Sequence, residues 1–241
     1  MEKSVIFEYD NGVALLTLNR PARSNAITQD LLIHLYNYLE MIVKDDNIRV
    51  VIITGKGKSF CSGLDLAIVD KDNLFDPRND GLDFPDIISA CKKPVIGAIN
   101  GPAITGGFEL ALNLDFLIAS ERAFFADTHA RVGIHPGWGM SQLLQQAIGA
   151  RMAKQVSLTC QPITAEQALR LGLVNEVVPH DELLPRAKEL AGYILEGKPE
   201  MVSLMMDLIK YRNHTTLDDA YSHERTGFRQ FLCGFQKQGR I

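Results

Sequence analysis

Two short runs, Val50 to Thr54 and Pro94 to Ile99, limit what this chain can fold into more than any other feature. Both are apolar and rich in β-branched residues, with no polar alternation, the pattern of a strand that a sheet buries on both faces. Between and around them, apolar residues recur at helical spacing. From Asp30 to Val43, Leu31, Leu32, Leu35, Tyr38, Leu39, Ile42 and Val43 mark one face of an amphipathic helix, and Phe108 to Leu114 reads as an apolar helix. Phe116 to Ala119 reads as a further strand. Strand and helix therefore alternate, which predicts an α/β fold with parallel crossovers. Ahead of them, Val5 to Tyr9 and Val13 to Leu18 flank Asn11-Gly12, a strong hairpin signal.

After about residue 140 the pattern becomes helical: Ser141 to Ile148, Thr164 to Leu171 with a Thr164/Gln167 capping box, Asp181 to Leu195, Met201 to Tyr211 and Leu217 to Phe231. The segment Asp70 to Pro85 is polar, rich in Asp and Asn, and reads as a mobile surface loop with the makings of a lid. A chain of 241 residues suits one large domain carrying a smaller terminal part, here a core over 1–195 and a helical region over 196–241.

Charge removes several classes of function. With 25 Lys plus Arg against 29 Asp plus Glu, the net charge is −4, the opposite of the basic footprint that nucleic-acid binding needs. No run approaches the roughly 18 apolar residues of a membrane span, and the N-terminal segment MEKSVIFEYD does not read as a signal peptide. Cys61, Cys91, Cys160 and Cys233 are scattered without a CxxC pair, the usage of reduced thiols in a cytoplasmic protein.

Three near-motifs fail on one residue or on spacing. Gly55-Lys56-Gly57-Lys58-Ser59 ends like a P-loop but has Ile52 where the first glycine belongs. Gly139-Met140-Ser141-Gln142-Leu143 lacks the final glycine of a nucleophile elbow. Asp127, His129 and His135 do not have a recognised metal-ligand spacing.

Two glycine-containing turns carry the chemistry. Ser59 to Leu66 follows the first buried strand, and Asn100 to Glu109 follows the second. In open α/β sheets ligands bind beyond the carboxyl ends of strands, where such turns lie. Gly106 and Gly107 let a ligand approach the main chain, and unpaired N–H groups of a helix's first turn suit an anion or oxyanion. Glu109, one helical turn on, leans back toward the same place. Spacing alone also fits plain structure: Glu109 as a first-turn acid, Asp65 as an N-cap, Gly106-Gly107 as a turn, and His129 as a packed or surface histidine.

Taken in order, Asn19-Arg20-Pro21 with Asn25-Ala26, Ser59 to Asp65, Lys93 to Gly101, Gly106 to Ala111 with Asp115, Val132 to Gly137, and Ala165 to Val178 resemble the crotonase superfamily, the enoyl-CoA hydratase/isomerase family. The resemblance runs from about residue 5 to residue 200. It implies a spiral of ββα units followed by helices that assemble a homotrimer or a dimer of trimers, and an acyl-CoA thioester substrate with no cofactor beyond its CoA. It places the oxyanion hole at the backbone N–H groups of Leu64 and Gly106, and lines a CoA channel with Ser24, Ala26, Ser62, Asp65 and Leu66. Arg23, Lys56 and Lys58 become candidates to meet CoA phosphates, or simply solvated charges.

The departures are as informative. A standard hydratase of that family has two carboxylates; one falls at Glu109 and the second position holds His129. Two accounts follow. In one, Glu109 activates water for addition to C3 of a 2-enoyl-CoA while His129 or water protonates C2. In the other, His129 is structural and either Glu109 serves alone or Asp127 turns inward. An enoyl-CoA hydratase is the leading reading; a related isomerase, dehydratase or C–C hydrolase, or a non-catalytic acyl-CoA binder, is the alternative. The last residues, from Arg229, also depart from the usual family ending.

Overall fold

The computed structural model describes residues 3–68 and 70–237. The chain forms two compact units, Met1–Glu196 and Gly197–Ile241. The first begins with the hairpin of β1 (Val5–Asp10) and β2 (Val13–Leu18), closed by Asn11 and Gly12 at φ 46° and 88°, the left-handed pair that a two-residue turn demands.

From β2 onward the chain winds as a spiral in which each turn visits two layers and then a helix. The first turn runs β2, an isolated bridge position at Ile27, then α1 (Gln29–Lys44). The second runs β3 (Val50–Gly55), bridge positions at Cys61 and Leu64, then α2 (Phe84–Ala90). The third is β4 (Val95–Ile99), β5 (Ala103–Ile104) and α3 (Gly106–Leu112). The fourth is β6 (Phe116–Ser120), β7 (Phe124–Ala126) and α4 (His129–Val132). Helices α5 (Met140–Ile148) and α6 (Ala150–Thr159), strand β8 (Ile163–Thr164), α7 (Ala165–Leu171), strand β9 (Glu176–Val178) and α8 (Leu183–Glu196) complete the unit.

The first layer is a six-stranded sheet of order β1-β2-β3-β4-β6-β9, parallel except for the hairpin pair. The second contains the three-stranded sheet β5-β7-β8. Turn-to-turn pairing continues it: Ile27 bridges Leu64, Cys61 bridges Ala103, and β5 pairs with β7. The unbroken apolar strands follow from this layering. In β3, Val51 and Ile53 enter the main core with Leu16, Leu31, Leu35, Phe60 and Phe108, while Val50 and Ile52 face the other way, onto Leu183, Ala187 and Ala191 of α8. Each fully buried Val or Ile is worth roughly 1.5–3 kcal/mol, so the sheet is held from both sides. The two alanines of α8, four residues apart, let that helix sit close to the strands.

Three expectations need correction. The segment 70–83 is not a free loop: the Gln29 N–H donates to Asp72 Oδ2 at 2.7 Å, Gln29 Nε2 to the Pro77 carbonyl at 2.7 Å, and Arg78 pairs with Glu40 and Asp80 at 2.7 and 2.6 Å. Its end is a helix: Asp83 and Asp86 form a reciprocal capping box around Pro85 in the first turn of α2. The helix expected from Phe108 to Leu114 begins earlier, at Gly106, directly after Thr105, whose N–H is held by the Ala126 carbonyl of β7, and it ends at Leu112. The Thr164/Gln167 box is present as read.

The second unit contains α9 (Pro199–Tyr211) and α10 (Leu217–Lys237). Their apolar side chains are largely uncovered, Met205, Ile209 and Phe228 being 56%, 67% and 60% exposed. Residues 238–241 of the atypical C-terminus lie outside the described residues.

Candidate active site

Three segments run side by side at the carboxyl ends of β2, β3 and β4. Between the first two, Ser62 N donates to the Ser24 carbonyl at 3.1 Å, Ile27 N to Gly63 O at 2.8 Å, and Asp65 N to Ile27 O at 2.9 Å. Between the second and third, Cys61 N donates to Pro102 O at 3.1 Å and Ile104 N to Cys61 O at 2.9 Å. This ladder brings Ser24, Ala26, Ser62, Leu64, Asp65, Leu66 and Gly106 into one strip. Ser24 and Leu66 are exposed, Ser62, Leu64 and Asp65 half-buried, Ala26 and Gly106 buried. Cys61 lies beneath, its thiol pushed up to about 12 by burial and so held protonated.

Two glycines make the close approach possible. A Cβ on Gly107 would sit 2.1 Å from the Cys61 carbonyl oxygen, inside the ladder itself. Gly63 has φ +89°, and a Cβ there would sit 2.9 Å from the Ile104 carbonyl oxygen and 3.3 Å from the Gly106 nitrogen. Among the described residues, no acceptor of this chain pairs with the N–H of Leu64 or of Gly106. Both turns present main-chain donors at adjoining positions, as an oxyanion site requires.

Asp65 does not cap a helix. Its carboxylate takes a 3.0 Å hydrogen bond from Arg20 Nη2, which holds it below the usual carboxylate range, and a turn follows. Arg20 also donates Nη1 to the Ala26 carbonyl, so one guanidinium ties the first two segments together.

Glu109 is 3% exposed and lies in the first turn of α3, but it does not cap that helix. Its Oε1 accepts the N–H groups of Trp138 and Met140 at 2.9 and 3.1 Å, which fixes the carboxylate and leaves Oε2 toward His129. His129 Nε2 is 3.6 Å from Glu109 Oε2, an ion-pair distance rather than a hydrogen bond, and His129 Nδ1 is 2.7 Å from Asp127 Oδ1. Asp127 Oδ1 also accepts the His129 N–H at 3.1 Å. All three side chains are buried. Burial alone would lower the His129 pKa; the hydrogen bond to Asp127 and the negative charge of Glu109 beside the ring overcome it and raise it to about 9, which favours the imidazolium at neutral pH. Burial likewise works against the Asp127 charge, but His129 and the Ser157 hydroxyl outweigh it and lower that carboxyl's pKa.

Asp127 therefore stands behind His129 and does not itself turn toward Glu109. His135 is apart from the cluster, exposed, with Nδ1 at 2.6 Å from the Pro136 carbonyl. The cavity of about 300 Å³ between α6 and α7, lined by Met152, Val156 and Leu171 among others, does not contain Glu109.

Comparison with known proteins places the chain in a family. The sequence model of the family described as enoyl-CoA hydratase/isomerase matches residues 8–238. The chain belongs to the enoyl-CoA hydratase/isomerase family. Over 231 residues it is 42% identical to a probable peroxisomal enoyl-CoA hydratase of Arabidopsis thaliana, covering 94% of this chain and 86% of that one. It is 37% identical over 242 residues to a crotonyl-CoA hydratase of Syntrophomonas wolfei, covering 98% and 93%. The crystal structure of an enoyl-CoA hydratase from Mycobacterium paratuberculosis superposes with a TM-score of 0.78 at 41% identity, covering 97% and 99%.

Within this member of the enoyl-CoA hydratase/isomerase family, sequence reasoning singled out Glu109, Leu64 and Gly106 but missed what braces them. Arg20 was visible only as part of Asn19-Arg20-Pro21, and its bonds to residues 26 and 65 need the spiral to exist. Thr105 gave no local signal, yet it is a β-branched residue at φ +51°, held by its N–H to Ala126 O at 2.8 Å and by its hydroxyl to that of Thr128. The Met140 main-chain donor lies in the Gly139–Leu143 stretch, which reads as a failed nucleophile elbow, and the Trp138 donor just precedes it. From the segment before α2, Phe75 packs its ring 5.9 Å from that of Trp138, so this segment covers the neighbourhood of Glu109.

Proposed function

We propose that this enzyme is an enoyl-CoA hydratase that adds water across the double bond of a 2-enoyl-CoA thioester. One observation carries the reading: two buried side chains, the Glu109 carboxylate and the His129 ring, stand 3.6 Å apart, with Glu109 one helical turn beyond the Gly106 main-chain donor. The Leu64 and Gly106 N–H groups bind the thioester oxygen and stabilise the negative charge that develops there. Glu109 Oε2 takes a proton from water as the water oxygen bonds to C3. The enolate then takes a proton at C2 from His129 Nε2. Glu109 is left protonated and His129 neutral, and transfer of that proton across their short separation restores both. The net change is one water added, with no cofactor beyond the CoA that the substrate carries.

The strip formed by Ser24, Ala26, Ser62, Asp65 and Leu66 lines the CoA channel. Asp65 contributes structure, since Arg20 occupies its carboxylate. Arg23, Lys56 and Lys58 are exposed beside it and meet CoA phosphates, which lets a chain of net charge −4 attract a polyanion locally. Assembly into a homotrimer or a dimer of trimers is supported by the uncovered apolar side chains of α9 and α10. A cytoplasmic setting is supported by four free cysteines, three of them buried.

The test is hydration of crotonyl-CoA, followed by loss of the conjugated thioester absorbance and by chromatography of the 3-hydroxyacyl-CoA product. Glu109→Gln keeps the shape and the acceptor for Trp138 N–H but removes the base. It should lower kcat by about 10²–10⁴-fold with little change in KM. A variant within threefold of wild type would show that Glu109 is not the base.

A further inference from the structure

Asp127 binds His129 on the side away from Glu109: His129 Nδ1 meets Asp127, and Nε2 faces Glu109. Its Oδ1 accepts from His129 twice, from ring Nδ1 at 2.7 Å and from the main-chain N–H at 3.1 Å, so the ring is gripped from the side opposite Nε2. From α6, the Ser157 hydroxyl also acts on the Asp127 carboxylate and favours its charged form. The next residue, Thr128, is bound to Thr105 at the start of α3, so the backbone carrying this pair is anchored as well. A carboxylate on Nδ1 does two things to an imidazole: it keeps the proton on that nitrogen, and it stabilises the positive charge of the ring.

We propose that Asp127 is a positioning residue that acts through His129: bound to Nδ1, it turns Nε2 toward Glu109 and keeps the ring able to donate a proton from Nε2. The inference rests on the hydratase reading above, in which His129 protonates C2. The groups that face the ring are Glu109 from α3 and Asp127 from the turn after β7. Arg131, on the same short helix, directs its guanidinium at the Cys160 carbonyl, 3.3 Å away, and α6 contributes Ser157 through Asp127.

The test uses the full chain and two readouts, one independent of turnover. NMR titration of the His129 ring, assigned by the signal missing from His129→Ala, reports its protonation without substrate. The pH profile of kcat/KM for crotonyl-CoA reports its use. In Asp127→Asn the ring should titrate at least about one unit lower, and the alkaline limb of kcat/KM should move down with it, a loss of about tenfold per unit on that limb. Placed in the His129→Ala background, Asp127→Asn should change kcat/KM by less than twofold, because its effect passes through the ring. Ser157→Ala, which leaves both ring partners in place, should shift the same two readouts in the same direction by less. It also serves should Asp127→Asn fold poorly.

An unshifted His129 titration in Asp127→Asn, or in Ser157→Ala if that is the variant that folds, overturns the inference. A shifted titration with an unmoved rate profile overturns it too. A wild type that does not hydrate any enoyl-CoA overturns the hydratase reading, while the NMR titration still shows whether Asp127 governs the ring.

Discussion

Gly63→Ala isolates the oxyanion site from the two titrating side chains. The residue has φ +89°, where an L side chain costs about 1–2 kcal/mol. The added Cβ would also lie 2.9 Å from the Ile104 carbonyl oxygen and 3.3 Å from the Gly106 nitrogen, both main-chain atoms that cannot swing aside. Relieving that contact costs a further 1–3 kcal/mol, roughly, as in other overpacked sites. The sum, about 2–5 kcal/mol, corresponds to a fall of several degrees or more in Tm for a chain this long, at about 2–4 °C per kcal/mol. The relief must come from separating the 61–65 segment from the 102–106 segment, which carry the two proposed donors. Loss of one such donor typically costs about 10²–10³ in kcat. Gly81→Ala is the control: its φ is +79° but a Cβ there meets nothing within 4 Å, so it has the backbone strain without the clash. Calorimetry together with crotonyl-CoA hydration should show both variants less stable and only Gly63→Ala catalytically crippled at temperatures where it remains folded. If folded Gly63→Ala keeps kcat within about threefold of wild type, the two turns do not form the site that stabilises the enolate.

Two further outcomes follow from the same structure. Because the His129 pKa is raised in the folded protein to about 9, the folded state holds that proton more tightly than the unfolded chain, whose histidine titrates near 6.5. This contribution to stability is full below pH 6.5, roughly, and is lost as pH rises toward about 9, so urea midpoints should decline across that window in wild type and decline less in His129→Ala. Arg20→Met removes the tie between the Ala26 carbonyl and the Asp65 carboxylate without touching Glu109, so KM for the thioester should rise several-fold while kcat changes little. Equal losses in kcat would place Arg20 in the chemistry instead.

What was legible in the sequence was what local forces decide. The Asn11-Gly12 hairpin, the Thr164/Gln167 capping box and the two-faced burial of β3 and β4 each depend on a few neighbouring residues or on one run of apolar side chains. Strands β5, β7 and β8, two or three residues long, have no period to detect; they exist because the spiral stacks successive turns at strand spacing. The Asp83/Asp86 box of α2 did have a local signature, but it sits in a stretch so rich in Asp, Asn and Pro that loop composition masked it. The role of Asp127 was hidden for a similar reason. Residues two apart do not face each other on a helix, and only a turn ahead of α4 lets Asp127 bind both nitrogens of His129 that the chain offers it.

Thr105 shows what sequence reading of the candidate site could not reach. A β-branched residue at φ +51° violates the local rule that sequence reading relies on, and such strain costs about 1–3 kcal/mol. Glycine would relieve it. Glycine would also remove the hydroxyl that bonds Thr128, and with it the link between the residue just before α3 and the segment carrying Asp127 and His129. The strained residue thus connects the Gly106 donor to the imidazolium that faces Glu109, so that the groups proposed to hold the oxygen and to move the proton share one brace. Local preference fails at the point where the fold must serve two parts of one reaction, and only the tertiary bonds to Ala126 and Thr128 can repay that failure.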